Sequence, residues 1–190
     1  AELFYLSEIE FIQGKGYKTL TDAILINNFK NLRKDLARLT IAYRISEVFD
    51  RLIKGQEPDE KLWKLLGDVF EKLDNWKIEN SLEIIYHYFL WNFLSLLGYQ
   101  PELYHCLICQ KKITPENIYF NPKKGGLICS QCLEKTKSGK LIAANTVKII
   151  RILLKKDWSF LRKLKVKIED LDLLRIISNF YFSEVLEQTE

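Results

Sequence analysis

All four cysteines of the chain fall within 27 residues, spaced Cys106-x2-Cys109-x19-Cys129-x2-Cys132. That spacing constrains the fold more than any other feature. A two-residue spacer lets both thiolates of a pair sit on one turn of backbone. Two such knuckles complete the tetrahedral set that zinc takes in structural sites. Between them, Ile118-Tyr119-Phe120 and Leu127-Ile128 suit two short strands, with Lys124-Gly125-Gly126 as the turn. The expectation is a ribbon over residues 106–132 holding one structural Zn2+. Four thiolates leave no open position for water, which argues against catalytic zinc. Disulfides need an oxidising compartment, and nothing in the chain reads as an export signal. A redox Cys-x2-Cys opens a helix within a βαβ unit, a pattern missing here. His105 borders the first knuckle and reads as an exposed or helix-end side chain. Because so small a ribbon buries little, it is expected to loosen without metal while the rest of the fold persists.

Hydrophobic periodicity places that ribbon in a mostly helical chain. Residues 3–12 alternate partly, Gly14-Lys15-Gly16 supplies a turn, and Tyr17–Leu20 and Ala23–Ile26 read as further short strands. Residues 1–27 therefore look like the last part of a small β-domain, and the lack of any methionine points to a start upstream. From Phe29 the period lengthens. Phe29, Leu32, Leu36, Leu39, Tyr43, Ile45, Val48, Phe49 and Leu52 predict one long amphipathic helix. Pro58 can begin the next, with Leu62, Leu65, Leu66, Val69, Phe70 and Leu73 as its stripe. Leu82–Leu97 is apolar on nearly every side, as a helix in the middle of a bundle must be, and Gly98 with Pro101 ends it. Asn145 can cap a helix over Thr146–Lys156. Asp170 can open the last, with Leu171, Leu174, Ile177, Tyr181 and Val185 on one face. Residues 28–190 thus read as a helical domain with the ribbon inserted.

The net charge of +4 conceals an asymmetry. Residues 106–167 carry 15 basic and 3 acidic side chains, whereas the flanking segments are acidic. Such a block can attract phosphate or an acidic protein tail, or can be a solvated basic face with no partner. Lys123, Lys124, Lys148, Arg151, Lys155, Lys156, Arg162 and Lys163 are the candidate contacts. Trp158 and Phe160 lie among them and suit either base stacking or core packing at a helix end. No phosphate loop, dinucleotide fingerprint, zinc-protease motif or nucleophile elbow occurs, and His87 reads as a satisfied core histidine, so no enzyme is expected. No apolar run reaches membrane-spanning length.

The run Phe93-Leu94-Ser95-Leu96-Leu97-Gly98-Tyr99-Gln100-Pro101-Glu102-Leu103 leads into the first knuckle, and Tyr119-Phe120-Asn121-Pro122 with Gly125-Gly126-Leu127-Ile128 into the second. Together with Phe29-x2-Leu32-Arg33-x-Asp35-Leu36, Tyr43 and Glu47 upstream, this combination resembles the RecO family of bacterial recombination mediators and DNA repair proteins. The resemblance covers nearly the whole chain. It implies an N-terminal OB-fold, of which residues 1–27 match only the end, then a helical domain carrying a zinc ribbon. It also implies binding of single- and double-stranded DNA, strand annealing, and work with a RecR-like mediator. Further implied partners are the C-terminal tail of single-stranded DNA-binding protein and, indirectly, RecA, in the cytoplasm at the bacterial nucleoid. Two other readings stand beside it. One is a zinc-stabilised protein-interaction module that never touches nucleic acid. The other is a regulatory or substrate-recognition subunit of an RNA-modifying enzyme.

Overall fold

The structure is a computed structural model that describes residues 2–55, 58–77 and 82–189; the expected domain limits at Ala1 and Glu190 lie outside these. It is mostly helical. The chain opens with an antiparallel hairpin of β1 (Leu6–Gln13) and β2 (Lys18–Asn27). The two short strands expected after Gly16 are one strand. Its register shifts where Asp22 pairs with Glu10 but Leu20 with Phe11, leaving Thr21 as the extra residue of a bulge. At that point the Asp22 carboxylate accepts a hydrogen bond from the Ala23 N–H at 2.7 Å, which is what the sequence shows as a break. Among the described residues β1 and β2 pair only with each other, so the expected barrel remnant is a hairpin and no barrel closes.

The long helix expected from Phe29 is two. α1 (Lys30–Lys34) stops at Asp35, whose extended backbone starts α2 (Leu36–Leu52). The Asp35 carboxylate accepts from the N–H groups of Ala37 and Arg38, as a helix cap does. This break resets the helical phase. Leu36 and Tyr43, both in the expected stripe, are exposed, and Ile41, Ala42, Ile45 and Val48 are the buried face. α3 (Glu60–Asn75) begins after Pro58 and not with it, capped by the Asp59 carboxylate, which accepts from the N–H groups of Lys61 and Leu62. At the other end of α3 the Arg38 guanidinium donates to the carbonyls of Leu73, Asp74 and Trp76, groups the helix itself cannot satisfy.

α4 (Leu82–Leu96) is the centre of the bundle. All its residues from Leu82 to Leu94 are buried except Glu83, and it packs against α2, α3, α6 (Ala144–Leu153) and α8 (Ile168–Thr189). Its end has the geometry of a glycine stop: Gly98 has φ +95°, and Tyr99 N–H reaches Leu94 O at 2.9 Å. α6 begins at Ala144, with no side-chain cap, so Asn145 lies inside its first turn. α8 likewise begins before Asp170, but it buries Leu174, Ile177, Tyr181 and Val185 as the sequence predicts. No helix among the described residues is long and apolar enough to cross a membrane.

Candidate metal centre and basic surface

Between α4 and α6 the chain forms the ribbon. β3 (Ile118–Asn121) pairs antiparallel with β4 (Gly126–Cys129) and, on its other edge, with β5 (Lys140–Leu141). Residues leading into and starting the first knuckle run along the free edge of β4, through Leu127 N–H to Glu102 O and Leu107 N–H to Leu127 O, each 2.9 Å. Gly126 makes this approach possible, since a Cβ there would lie 2.8 Å from the Glu102 carbonyl oxygen. Gly125 has φ +63°, and its Cβ would meet the Tyr181 hydroxyl at 2.8 Å. The paired glycines thus serve two separate close approaches.

The first knuckle is closed by Cys106 N–H to Lys111 O and Gln110 N–H to Cys106 O, with Gln110 in the left-handed region. Cys129 ends β4, and Cys132 sits in the first turn of α5 (Ser130–Thr136). The four sulfurs lie within 4.8 Å of one another, and those of Cys109 and Cys129 are 3.9 Å apart. A tetrahedral ion with bonds of about 2.3 Å needs sulfurs about 3.8 Å apart, so one ion can reach all four. Disulfide bonding needs about 2.05 Å, and all four cysteines are free thiols. Burial opposes ionisation of Cys106, but N–H groups of Cys109, Cys129 and Ile108 directed at its sulfur outweigh burial and pull its pKa down. Burial and the neighbouring sulfurs drive Cys132 the opposite way. A dication held there would let four such sulfurs share one space. His105 stays outside the cluster, half-exposed beside Glu102.

The ribbon is not a free appendage. Phe120 is fully buried against Trp91 and Tyr181, with ring centroids 6.1 and 5.4 Å away. Ile118, Phe120, Leu127 and Ile142 belong to the main core, and only the knuckle end has a small core of its own around Cys106, Ile128 and Cys132. The expected independence of residues 106–132 therefore narrows to the knuckles.

The basic candidates divide. Lys123 and Lys124 are exposed in the β3–β4 turn, and Lys148, Lys155, Lys156, Arg162 and Lys163 are exposed on α6 and around α7 (Trp158–Leu161). Arg151 differs from the other candidates. Its guanidinium donates to the Leu103 carbonyl through Nε at 3.1 Å and through a second nitrogen, and lies 4.3 Å over the Tyr104 ring. It latches α6 to the ribbon, which takes up part of its donor capacity. Trp158 and Phe160 also part company. Trp158 packs against Tyr88 and Trp76, while Phe160 is 53% exposed. Sequence reasoning missed Lys61 and Lys64 of α3, which share a hollow with Lys156 and Trp158. Their helical spacing gave no sign of a neighbour so distant in the chain. His87 is buried as expected but not satisfied, for neither ring nitrogen has a hydrogen-bond partner among the described residues.

The family profile described as "Recombination protein O C terminal" matches residues 33–190. The DNA repair protein RecO of Dehalococcoides mccartyi is 31% identical over 187 residues, 98% of this chain and 72% of that protein. The DNA repair protein RecO of Caldanaerobacter subterraneus subsp. tengcongensis is 30% identical over 164 residues, 86% of this chain and 64% of that protein. That of Listeria welshimeri is 26% identical over 183 residues, 96% of this chain and 70% of that protein. With the cysteine cluster and helical bundle in place, these matches make the chain a member of the RecO family of DNA repair and recombination proteins.

Proposed function

We propose that this chain is a non-enzymatic mediator of homologous recombination that binds and anneals single-stranded DNA and helps partner proteins load recombinase. In this reading Cys106, Cys109, Cys129 and Cys132 hold one zinc ion, which fixes the knuckles and takes no part in chemistry. Phosphates are taken by Lys123, Lys124, Lys148, Lys155, Lys156, Arg162 and Lys163. The observation that carries the proposal is the exposure of Lys155, Lys156, Arg162 and Lys163 around α7, none of them in an ion pair among the described residues. Cations left without carboxylates are available to a polyanion. Partnership with a RecR-like protein, with the tail of single-stranded DNA-binding protein and indirectly with RecA follows from family membership, as does a cytoplasmic place at the nucleoid. Residues 1–27 are proposed as part of an OB-like domain. Exposed Ile9, Phe11, Ile12, Leu20 and Ile24 on the hairpin support this, as they leave apolar surface for further strands.

Titration of a labelled oligonucleotide tests the DNA role. Binding is expected to be independent of sequence and to weaken steeply as salt rises, because each neutralised phosphate releases counterions. Reversing Lys155, Lys156, Arg162 and Lys163 to Glu lowers both affinity and salt slope. Reversing Glu169, Asp170 and Asp172 to Lys does not weaken binding. Absence of binding at low salt, with an acidic peptide captured instead, places the protein-interaction reading first.

A further inference from the structure

A hollow of about 350 Å3 lies where α3, α4 and the turn into α7 meet. Tyr88 and Trp158 are its aromatic walls, 4.0 Å between ring centroids, and Lys61, Lys64 and Lys156 stand at its rim with Asp68. Lys61, Lys64 and Asp68 share one face of α3 by their spacing. Lys156 comes from 92 positions after Lys64 and is turned there by a left-handed backbone, φ +59°. None of the three lysines has an ion-pair partner among the described residues, whereas Arg33, Arg38, Arg44, Arg51 and Arg175 all do. Asp68 offsets one of the three positive charges of that lining, and a bound anion relieves the repulsion that remains.

The short helix beside this hollow presents an aromatic ring outward. Asp157 fixes its start by accepting from the N–H groups of Ser159 and Phe160. Trp158 packs on the core, and Leu161 is 2% exposed, so both ends are anchored. Phe160 is held between those anchors with its ring in solvent and Arg162 and Lys163 following it. A lone exposed ring is ordinary. An exposed ring inside a run of cations without ion-pair partners among the described residues has the composition of a single-strand platform, where bases stack on aromatics and phosphates lie on cations.

We propose that this region is a single-stranded nucleic-acid subsite of the helical domain, with Lys61, Lys64 and Lys156 holding phosphates and Phe160 stacking a base. It rests on the DNA-binding reading above and adds α3 to it, a helix in the acidic part of the chain. Single strands are favoured over an acidic peptide because the unpaired cations continue past the hollow to Lys155, Arg162 and Lys163, flanking the exposed ring.

Equilibrium titration of the zinc-loaded chain with fluorescent oligo(dT) and with an abasic oligomer of equal length tests it. Phe160→Ala is expected to lose about tenfold in affinity for oligo(dT) and little for the abasic strand, with Phe160→Trp restoring the loss. K61E/K64E together weaken both strands and lower the salt slope. Circular dichroism checks that each variant keeps the wild-type helical signal. If the wild type binds no DNA, the functional reading fails and takes this subsite with it. If the wild type binds but Phe160→Ala and K61E/K64E match it, the subsite alone is wrong. If K61E/K64E abolishes only the capture of an acidic peptide, the hollow belongs to protein recognition and the inference is overturned.

Discussion

His87 sits in the middle of α4, and neither ring nitrogen has a hydrogen-bond partner among the described residues. Burial pushes its pKa down to about 4. Glu83 works against that shift, and Arg44 and Arg175 reinforce it. The imidazole is therefore neutral in the fold, while the unfolded chain takes up a proton near pH 6.5. Stability from this residue is complete above that pH, falls as pH drops from about 6.5 to about 4, and levels below. The full loss is of the order of 3 kcal/mol. Glu83 is a separate case. Burial opposes its ionisation, but the hydrogen bond and charge of Arg44, 2.8 Å away, hold its carboxyl below the usual range, so its contribution fades only at lower pH. His87→Leu should flatten the urea-unfolding response between pH 6.5 and 4. It should also add about 1 kcal/mol at pH 7, since it removes an unpaired buried polar group; an unchanged pH response would rule this account out. Gly125 carries the reverse constraint. A Cβ there meets the Tyr181 hydroxyl, which is committed to Tyr99 O at 2.8 Å and cannot swing away freely. With the strain of a left-handed backbone added, Gly125→Ala should cost about 2 kcal/mol or more in chemical denaturation. Gly16, with nothing near its Cβ position, should tolerate alanine.

At the scale of elements, the ribbon divides between metal and core. Chelation should raise amide exchange around residues 105–112 and 129–136 and leave β3 and the first residues of β4 protected, because Phe120 and Leu127 are held by the bundle. Equal loosening of Ile118–Asn121 would show that the ion holds the strands too. Arg151→Ala should lower stability by about 1–2 kcal/mol through the lost bond to Leu103 O and the lost contact with Tyr104, while oligonucleotide affinity changes little. A large affinity loss with unchanged stability would return Arg151 to the DNA-contact set. The sequence made these elements legible where one local rule decides them. The knuckles follow from cysteine spacing, α4 from apolarity on all sides, and α8 from its stripe. It hid what depends on distant partners. The break at Asp35 reads as helix until Arg38 is seen capping α3 from across the bundle. Arg151 reads as one more cation until the Leu103 carbonyl is placed beneath it.

Across the whole molecule, charge and packing are distributed differently. The cation-rich segment 106–167 was plain from composition, but its reach onto Lys61 and Lys64 depends on α3 folding beside α7. Packing likewise joins what the sequence separates. The four-helix surround of α4 and the strands β3 and β4 share one apolar core through Trp91, Phe120 and Tyr181. The hairpin β1–β2 stands apart from it. Phe4 and Leu6 pack against that core, with Phe4 5.1 Å from Tyr43 and 5.6 Å from Phe70 between ring centroids. From Glu8 to Leu25 every hairpin residue is exposed. A two-stranded ribbon without a covering layer is marginal in water, so its ladder should open far more often than the bundle does. Native-state hydrogen exchange at neutral pH should therefore show two regimes. Amides of α4 and β3 should exchange only through global unfolding and track the stability measured with denaturant. Amides of Ile9–Ile12 and Thr19–Ile24 should exchange at least about a hundredfold faster, through local opening insensitive to low denaturant. The helical dichroism and the aromatic signal of Trp91 should meanwhile disappear in one coincident transition, since they report one core. Hairpin amides as slow as those of α4 in the monomeric chain would contradict this division and mean that the strands draw stability from the bundle through contacts beyond Phe4 and Leu6.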